Sequence, residues 1–416
     1  MNISNFKFQI FGFILLSILA FRFYFFNSNQ TRYADGQTLS FETTILSQPQ
    51  VVGSRQAFTA NYKNQKIRIT TSRFPELNYG DFVRISGAVQ IKALTSIKSG
   101  LNKNIITMMY FPKIETINNS ANILQASLKK INTLRQKLIS LFSKTLPSPS
   151  SSLLLGIIFG IKEQMPKDFA DNLRTTGVFH VIAASGMNVT LIGGFISTGL
   201  AFFLKRQIAI ILSIIGIIFY AVLAGLEASI IRASIMGIIV FSAQIMGRQT
   251  LAFNGLALAG FAMLFIDPAL ISDIGFQLSF AATLGILFIK PLLQKKEGIG
   301  SNVLTTISAQ IATLPILLAN FGIYSIYSIL VNGLVLWTVP ILMMVGGLGS
   351  ILGLILAPLG QLLIYLCYPL LLYFETIVQI FGKIGGVITI QAVPWQFIAG
   401  YYCLLSSILL VFRRSK

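Results

Sequence analysis

The chain has 416 residues and a net charge of +19, from 32 Lys and Arg against 13 Asp and Glu. Hydrophobic residues make up 54% of it and charged residues only 11%, whereas a soluble globular protein gives about a quarter of its residues to charge. This composition excludes a disordered chain, a coiled coil and a collagen, and it indicates a polytopic membrane protein. The single histidine also excludes a zinc hydrolase site built from several histidines.

Residues 1–26 are expected to form an N-terminal transmembrane helix. The tract from Phe8 to Phe26 is mostly apolar and is long enough to cross a bilayer. A signal peptide is the alternative. However, the basic start is weak, the tract is long for a signal peptide and no Ala-x-Ala cleavage site follows it.

Residues 27–120 are polar and are expected to form a small extracytoplasmic β domain. The run from Lys66 to Thr70 alternates polar and apolar residues, as a half-buried strand does. Turn residues at 78–81 precede a second strand over 82–89, which contains Gly87. Short strands with a glycine bulge predict a Greek-key barrel of the OB type, with a generic small barrel as the alternative.

Residues 121–149 are expected to form a basic amphipathic connector helix. Leucines recur at helical spacing, and lysines and arginines occupy much of the rest. Such a helix is suited to lying on a membrane surface, and packing against the outer domain is the alternative. The run Pro147-Ser148-Pro149-Ser150 ends it.

The outer domain and the connector carry most of the excess charge. Residues 27–145 hold 16 Lys and Arg against five Asp and Glu. This surplus favours a polyanionic partner such as nucleic acid, teichoic acid or anionic lipid, with a solvated or lipid-facing surface as the alternative. The candidate DNA contacts of the outer domain are Lys63, Lys66, Arg68, Arg73 and Arg84.

Residues 150–416 are expected to form a polytopic helical domain. With the first helix, the apolar tracts predict about ten spans. Placing both termini in the cytoplasm puts Lys205, Arg206 and Arg248 on the inner side, as the positive-inside rule requires. We interpret residues 376–392 as re-entrant or interfacial. The tracts lie near 178–203, 207–226, 229–247, 250–266, 274–290, 303–321, 325–345, 348–374 and 396–412.

Polar residues interrupt these tracts at several places. A polar group at bilayer depth is costly and usually faces a cavity or a partner. One such group alone is explained by hydrogen bonding between helices, and Arg232 alone by snorkelling to the interface. Several in one domain favour a polar pathway, where a few cations offset the desolvation of phosphate.

Four segments in order resemble the ComEC-type competence proteins. The stretch from Gly177 to Val189 is similar to the family's hallmark, a glycine followed by His-Leu-hydrophobic-Ala-Ile-Ser-Gly-Leu-His-Val. Residues 232–236 resemble its Arg-Ala-x-x-Met, and residues 275–285 resemble its Gly-Phe-x-Leu-Ser-Phe segment. A later proline and asparagine pattern of the family is resembled by Pro315, Asn320-Phe321-Gly322, Asn332-Gly333 and Pro340.

The resemblance implies a channel in the bacterial inner membrane that carries single-stranded DNA into the cytoplasm during natural transformation. It implies an OB-type domain outside, contact with membrane lipids, an extracytoplasmic DNA receptor and a cytoplasmic helicase. Neither catalysis nor a metal or other cofactor is expected. The DNA-pathway candidates are His180, Ser185, Asn188, Arg232, Gln277, Asn320 and Asn332.

Two departures from the family pattern stand out. Asn188 replaces the second histidine of the hallmark segment, and asparagine keeps hydrogen bonding but takes no proton near neutral pH. The metallo-β-lactamase-like domain of larger members does not follow residue 416 in this sequence, so strand degradation is expected from a separate nuclease. A short family member and a fragment of a longer one would look alike.

Two other functions remain open. A small-solute or lipid transporter fits the composition. An intramembrane serine hydrolase would use Ser185 with His180 as its base. These residues are five positions apart and diverge on one helix, so only an irregular backbone would join them.

Overall fold

The computed structural model describes residues 3–28, 33–45, 49–62, 65–78, 80–94, 104–117, 123–162, 164–182, 186–247, 252–293, 301–389 and 394–414. The chain divides into two compact units. The first comprises Met1–Ser96, Lys103–Arg135 and Leu258–Ile271, and the second comprises Ile97–Asn102, Gln136–Ala257 and Ser272–Lys416. We call the first the outer unit, after the extracytoplasmic position that the sequence predicts for residues 27–120, and the second the helical unit.

The outer unit begins with helix α1, Ile3–Ser28, and continues into a curled sheet. In the sheet path, neighbouring strands run in the order β1-β5-β6-β4-β3-β2, and β7 pairs with β5. Strands β4 and β6 are parallel, and the other pairs are antiparallel. The strands are β1 Thr38–Thr44, β2 Gln50–Val52, β3 Arg55–Tyr62, β4 Gln65–Ser72, β5 Phe82–Leu94, β6 Asn104–Tyr110 and β7 Lys113–Thr116.

Side-chain alternation on the strands builds the core of this sheet. On β4, Ile67 and Ile69 are buried while Arg68 between them is exposed, because successive strand residues point to opposite faces. Gly87 allows the chain to approach closely, since a Cβ there would lie 2.8 Å from the Cβ of Pro112. The buried hydrophobic core consists of Phe41, Ile45, Phe58, Ala60, Ile67, Ile69, Leu77, Val83, Ile85, Val89 and Met109.

Helix α2, Ile123–Thr145, follows the sheet in the stretch where the sequence predicts the connector helix. The helical unit then contains a series of helices, a short 3-10 helix at Phe179–Val181 and a two-stranded sheet of β8, Ile323–Ser325, with β9, Val387–Thr389. Its helices before residue 300 are α3 Ser150–Phe159, α4 Lys167–Thr175, α5 Gly186–Ala201, α6 Arg206–Leu223, α7 Ala228–Ile245, α9 Ile274–Phe288 and α10 Lys290–Leu293. Helix α8, Ala252–Ile266, is shared between the two units, because its residues from Leu258 onward belong to the first. Those after it are α11 Ser301–Phe321, α12 Ser328–Val335, α13 Thr338–Ile355, α14 Ala357–Leu366, α15 Tyr368–Ile384 and α16 Trp395–Arg414.

Six helical segments among the described residues are long and apolar enough to cross a membrane. Helices α14 and α15 together form a bent seventh candidate. This fits a multi-pass membrane protein. The predicted ten spans are reached only if some shorter apolar helices also cross, so that number stays a prediction. The six are residues 179–201, α6, α7, α9 with α10, α11 and α13.

Two of the predicted tracts have the wrong boundaries. The tract 325–345 contains two helices, because α12 ends at Val335 and α13 starts at Thr338. The tract 348–374 contains the end of α13, all of α14 and the start of α15. Helices α14 and α15 each carry proline within their first two positions, where proline starts a helix readily. Uniform apolar composition conceals these breaks.

Candidate functional site

Arg232 lies inside the helical unit, where α7 meets α9. Its Nη1 donates a hydrogen bond to Thr283 Oγ1, and Thr283 Oγ1 in turn donates to the carbonyl of Ser279 at 2.9 Å. The guanidinium carbon lies 6.0 Å from the centre of the Phe280 ring. Only 8% of Arg232 is exposed. It therefore does not snorkel away from the protein interior.

The positive charge of Arg232 is only partly compensated. Its Nε is buried without a hydrogen-bond partner, and no carboxylate in the described part of the chain lies within ion-pair distance of it. A buried unpaired cation costs several kcal/mol. Since all the groups described around it are neutral, an anion is the ligand that would relieve this cost.

Gly186, the first described residue of α5, lies against the same guanidinium. A Cβ on Gly186 would lie 3.0 Å from Nη2 of Arg232, so a larger residue at this position would press on the guanidinium and shift it. The small side of α5 thus leaves Nη2 room beside the helix.

A second polar cluster surrounds Ser328, at the start of α12. Ser328 Oγ accepts hydrogen bonds from Gln310 Nε2 at 2.7 Å and from Asn332 Nδ2 at 3.1 Å. Asn332 is fully buried, and its Oδ1 has no partner. Gly177, with φ +73°, packs on Ser328, and a Cβ there would lie 2.6 Å from the hydroxyl. Gly177 O lies 3.2 Å from Nδ1 of His180, which is exposed.

Helix α3 ends on side chains from two neighbouring helices. All ten of its residues are buried, so the carbonyls of its last turn need protein partners. Asn188 Nδ2, on α5, donates to Ile157 O at 2.8 Å, and the Tyr220 hydroxyl, on α6, donates to Ile158 O at 2.9 Å. We call this arrangement the α3 clamp; it fixes α3 against the start of α5.

Residues 157–415 of the chain match the family of competence proteins. The chain belongs to this family. The match covers Gly177, His180, Arg232 and Asn332, so the Arg232 site and the Ser328 cluster both lie within the family segment.

Two curated relatives show how far the similarity extends. This competence protein is 26% identical over 209 residues to ComE operon protein 3 of Bacillus subtilis (strain 168). The aligned residues make up 49% of this chain and 26% of the relative. It is 24% identical over 292 residues to the uncharacterized protein YcaI of Escherichia coli (strain K12). The aligned residues make up 62% of this chain and 39% of the relative. The chain thus spans well under half the length of these relatives. No solved structure matches it.

The other predicted pathway residues of this competence protein lie apart from these clusters. Gln277 is half-buried on α9. Asn320 is exposed, and its Nδ2 donates to Ile316 O at 2.8 Å, one turn back in its own helix. Ser185 lies outside the described residues. Three residues of these clusters were not predicted from the sequence, namely Tyr220, Thr283 and Ser328, and only Thr283 belongs to a segment that carries the family resemblance.

The predicted basic contacts of the outer unit are placed unevenly. Arg68 is exposed on β4. Arg73 lies 3.7 Å from Glu76, and Arg84 forms an ion pair with Glu42 at 2.6 Å, which raises the pKa of Arg84 through hydrogen bonding and charge. Lys63 lies outside the described residues, as does the side chain of Lys66. Among the described residues no group of three His, Cys, Asp or Glu side chains is placed to hold a metal ion.

Proposed function

We propose that this protein is an inner-membrane channel that carries single-stranded DNA into the cytoplasm during natural transformation. The observation that carries the proposal is the buried guanidinium of Arg232, which lies against Gly186 of α5 without a carboxylate partner among the described residues. Membership of the competence protein family supports a role in DNA uptake.

A DNA strand that crosses a membrane exposes phosphates to a medium of low dielectric constant, and their desolvation is costly. A lone cation offsets part of this cost at each passing phosphate. A carboxylate beside Arg232 would cancel that attraction, whereas a cluster of cations would hold the strand too tightly to release it. We therefore propose that Arg232 contacts phosphates in transit, with Ser185, Gln277, Asn320 and Asn332 as further candidates along the path.

The remaining proposed roles follow from polarity and position. We propose that Asn188 positions α3 rather than contacting DNA, because its amide is already bonded to Ile157 O. His180 is exposed beside the Ser328 cluster, where its imidazole is available to a passing strand. The chain acts in this proposal without catalysis, metal or cofactor.

We propose that the sheet of the outer unit is an OB-type domain on the extracytoplasmic side. The antiparallel meander β2-β3-β4, joined to β6 by a parallel pair, fits a partly open Greek-key barrel. With the predicted ten spans, both chain termini would then lie in the cytoplasm. A DNA receptor outside, a helicase inside, a separate nuclease and the surrounding lipids are the proposed partners.

The test is entry of labelled DNA into source cells with the gene deleted and then restored. Deletion should abolish label that is protected from external nuclease while leaving surface binding intact. Restoration with Arg232→Gln should leave protected label reduced roughly tenfold or more, because a charge-assisted hydrogen bond is worth about 1.5–3 kcal/mol. Arg232→Lys should retain part of the uptake, since it keeps the charge.

Arg206→Gln is the matched control, because Arg206 is an exposed cation at the start of α6. Protein abundance in the membrane is measured for every variant. Normal uptake by Arg232→Gln at wild-type abundance would remove Arg232 from the pathway. Unchanged uptake in the deleted strain would reject the channel, and transport of a small solute or lipid would become the leading function.

A further inference from the structure

The outer unit carries two arginine–phenylalanine pairs at one end of β3, β4 and β6, which are neighbouring strands of its sheet. Arg55, at the start of β3, pairs in register with Ser72, at the end of β4. The chain after β4 is fixed beside them, because the Arg73 N–H donates to Ser54 O at 2.9 Å. The chain after β6 lies at the same end of these strands, because the Phe111 N–H donates to Thr70 O at 2.7 Å.

In each pair the arginine lies against a phenylalanine ring that remains open to solvent. The guanidinium carbon of Arg55 lies 5.5 Å from the centre of the Phe111 ring, and that of Arg73 lies 5.6 Å from the centre of the Phe74 ring. Phe111 is 55% exposed and Phe74 is 70% exposed. We call Arg55, Arg73, Phe74 and Phe111 the aromatic edge.

The backbone of Phe111 has an unusual conformation. Burial of its side chain does not explain this conformation, because the ring is exposed. The φ of Phe111 is +47°, a region that bulky residues rarely adopt. Its N–H is bonded to Thr70 O, and the next residue, Pro112, is buried against Gly87. The backbone thus presents the ring to solvent and does not bury it in the core. A rigid, exposed aromatic ring is a feature of binding surfaces.

We propose that the aromatic edge binds a short stretch of single-stranded nucleic acid, with bases stacked on Phe111 and Phe74 and phosphates held by Arg55 and Arg68. This inference rests on the proposed function and identifies the part of the outer unit that meets the strand. Stacking on aromatic side chains tolerates any base sequence, and arginine behind the ring adds charge. Phe74 lies two residues after the end of β4, and Phe111 directly follows β6, which is the neighbour of β4 in the sheet, so a few nucleotides suffice to reach both rings.

The charges around the edge fit a polyanion. Neither Arg55 nor Arg68 has a carboxylate partner among the described residues, whereas Arg73 shares its charge with Glu76 and Arg84 is paired with Glu42. Arg68 is exposed on β4, two residues before Thr70, so it extends the positive surface along the sheet.

A lipid surface is the other occupant that aromatic and arginine side chains would suit. The neighbouring outward residues Thr59, Thr70 and Ser72 are polar, and the exposed Tyr110 beside Thr70 is one further aromatic ring that carries a hydroxyl, whereas a helix or sheet that lies in a lipid interface presents a broad apolar face. The observations therefore favour a strand with separate stacking and phosphate contacts.

The experiment measures binding of fluorescein-labelled oligothymidylate, about 15 nucleotides long, to the full-length protein in nanodiscs of uncharged phosphatidylcholine. Phe111→Gly removes the ring and suits the positive φ, and it should weaken binding by roughly tenfold. Phe111→Tyr should bind as the wild type does. Arg55→Gln should lower the slope of log affinity against log salt by about 0.7. Lys113→Gln, a charge-matched control whose cation is paired with Glu115 at 2.8 Å, should change little.

The outcomes separate this inference from the proposed function. If the wild type binds the oligonucleotide and Phe111→Gly binds equally well, the aromatic edge is refuted and the channel is untouched. If the wild type does not bind, both the edge and the DNA-binding role of the outer unit are refuted. A third outcome concerns lipid. In a Phe111→Trp variant, brominated phosphatidylcholine in the disc would quench tryptophan fluorescence if lipid occupied the aromatic edge. Quenching above the background of the two native tryptophans would therefore also overturn the proposal.

Discussion

The α3 clamp should be worth measurable stability, and its two bonds should be coupled. Asn188→Ala removes the donor to Ile157 O, and Tyr220→Phe removes the donor to Ile158 O. Both side chains are almost fully buried, at 1% and 3% exposure. Each substitution therefore leaves a carbonyl without a partner in a place that water does not reach easily.

The expected loss in free energy of unfolding follows from two known ranges of hydrogen-bond energy. An unsatisfied buried carbonyl costs about 1–3 kcal/mol in proteins generally, while hydrogen bonds between membrane helices measure about 0.6 kcal/mol on average and up to about 1.7. We expect about 1–2 kcal/mol for Asn188→Ala and about 1 kcal/mol for Tyr220→Phe. The double variant should differ from the sum by at least about 0.5 kcal/mol, because the two helices share α3 as their partner.

The assay is reversible unfolding of the purified protein in mixed micelles with increasing dodecyl sulfate. DNA entry into cells is measured in parallel and should fall only as far as protein abundance falls. A cost below about 0.5 kcal/mol for both single variants would refute the clamp. A loss of uptake at normal abundance in Asn188→Ala would instead return Asn188 to the DNA pathway.

Two further predictions concern glycine chemistry. Gly285→Ala should destabilise the protein by about 1–3 kcal/mol, because its Cβ would lie 2.6 Å from the Cβ of Ala312 on α11; Gly255→Ala, where the space is open, is the control, and equal melting temperatures for the two would contradict the close contact of α9 and α11. Phe111→Gly should keep the free energy of unfolding within about 1 kcal/mol of wild type, since relief of a positive φ offsets the lost cation–π contact and the added chain entropy. A thermal melt that drops by more than about 8 °C would show that the ring is needed for folding.

Patterns that depend on neighbouring residues in the chain could be predicted from the sequence. The alternation around Ile67 and Ile69 predicts a strand, and β4 has this burial pattern. The leucine spacing of residues 121–145 predicts a helix where α2 lies. The breaks after Val335 and Ile355 were missed because the residues around them are mostly apolar, so the hydrophobic pattern holds no boundary signal. Prolines do mark where α14 and α15 start, because each of these helices carries one within its first two positions.

The candidate site was harder to predict because its contacts join distant segments. Arg232 is conspicuous as a charge inside an apolar tract, and the structure does bury it. Its partner Thr283 lies 51 residues away, and a threonine in a helix usually bonds its own backbone. Helical position alone does not distinguish Thr283 from Thr313, since each also donates to the carbonyl four residues earlier in its own helix; only the family resemblance of residues 275–285 sets Thr283 apart.

Hydrogen bonding within the helical unit separates structural polar residues from functional ones. Ser213, Ser308 and Ser350 are buried, and each donates to the carbonyl four residues earlier in its own helix. Such groups are already satisfied, so they need no ligand.

Four described side chains in the helical unit have a buried polar atom without a partner, and they lie in two places. Arg232 and Ser234 are two residues apart on α7, and Ser325 and Asn332 lie around the start of α12. Unsatisfied polar atoms are costly in a membrane, where water is scarce. A fold that keeps them in two small regions of the family segment gains nothing in stability from them. Their retention is explained if a polar, negatively charged strand passes these positions and supplies the missing partners during transport.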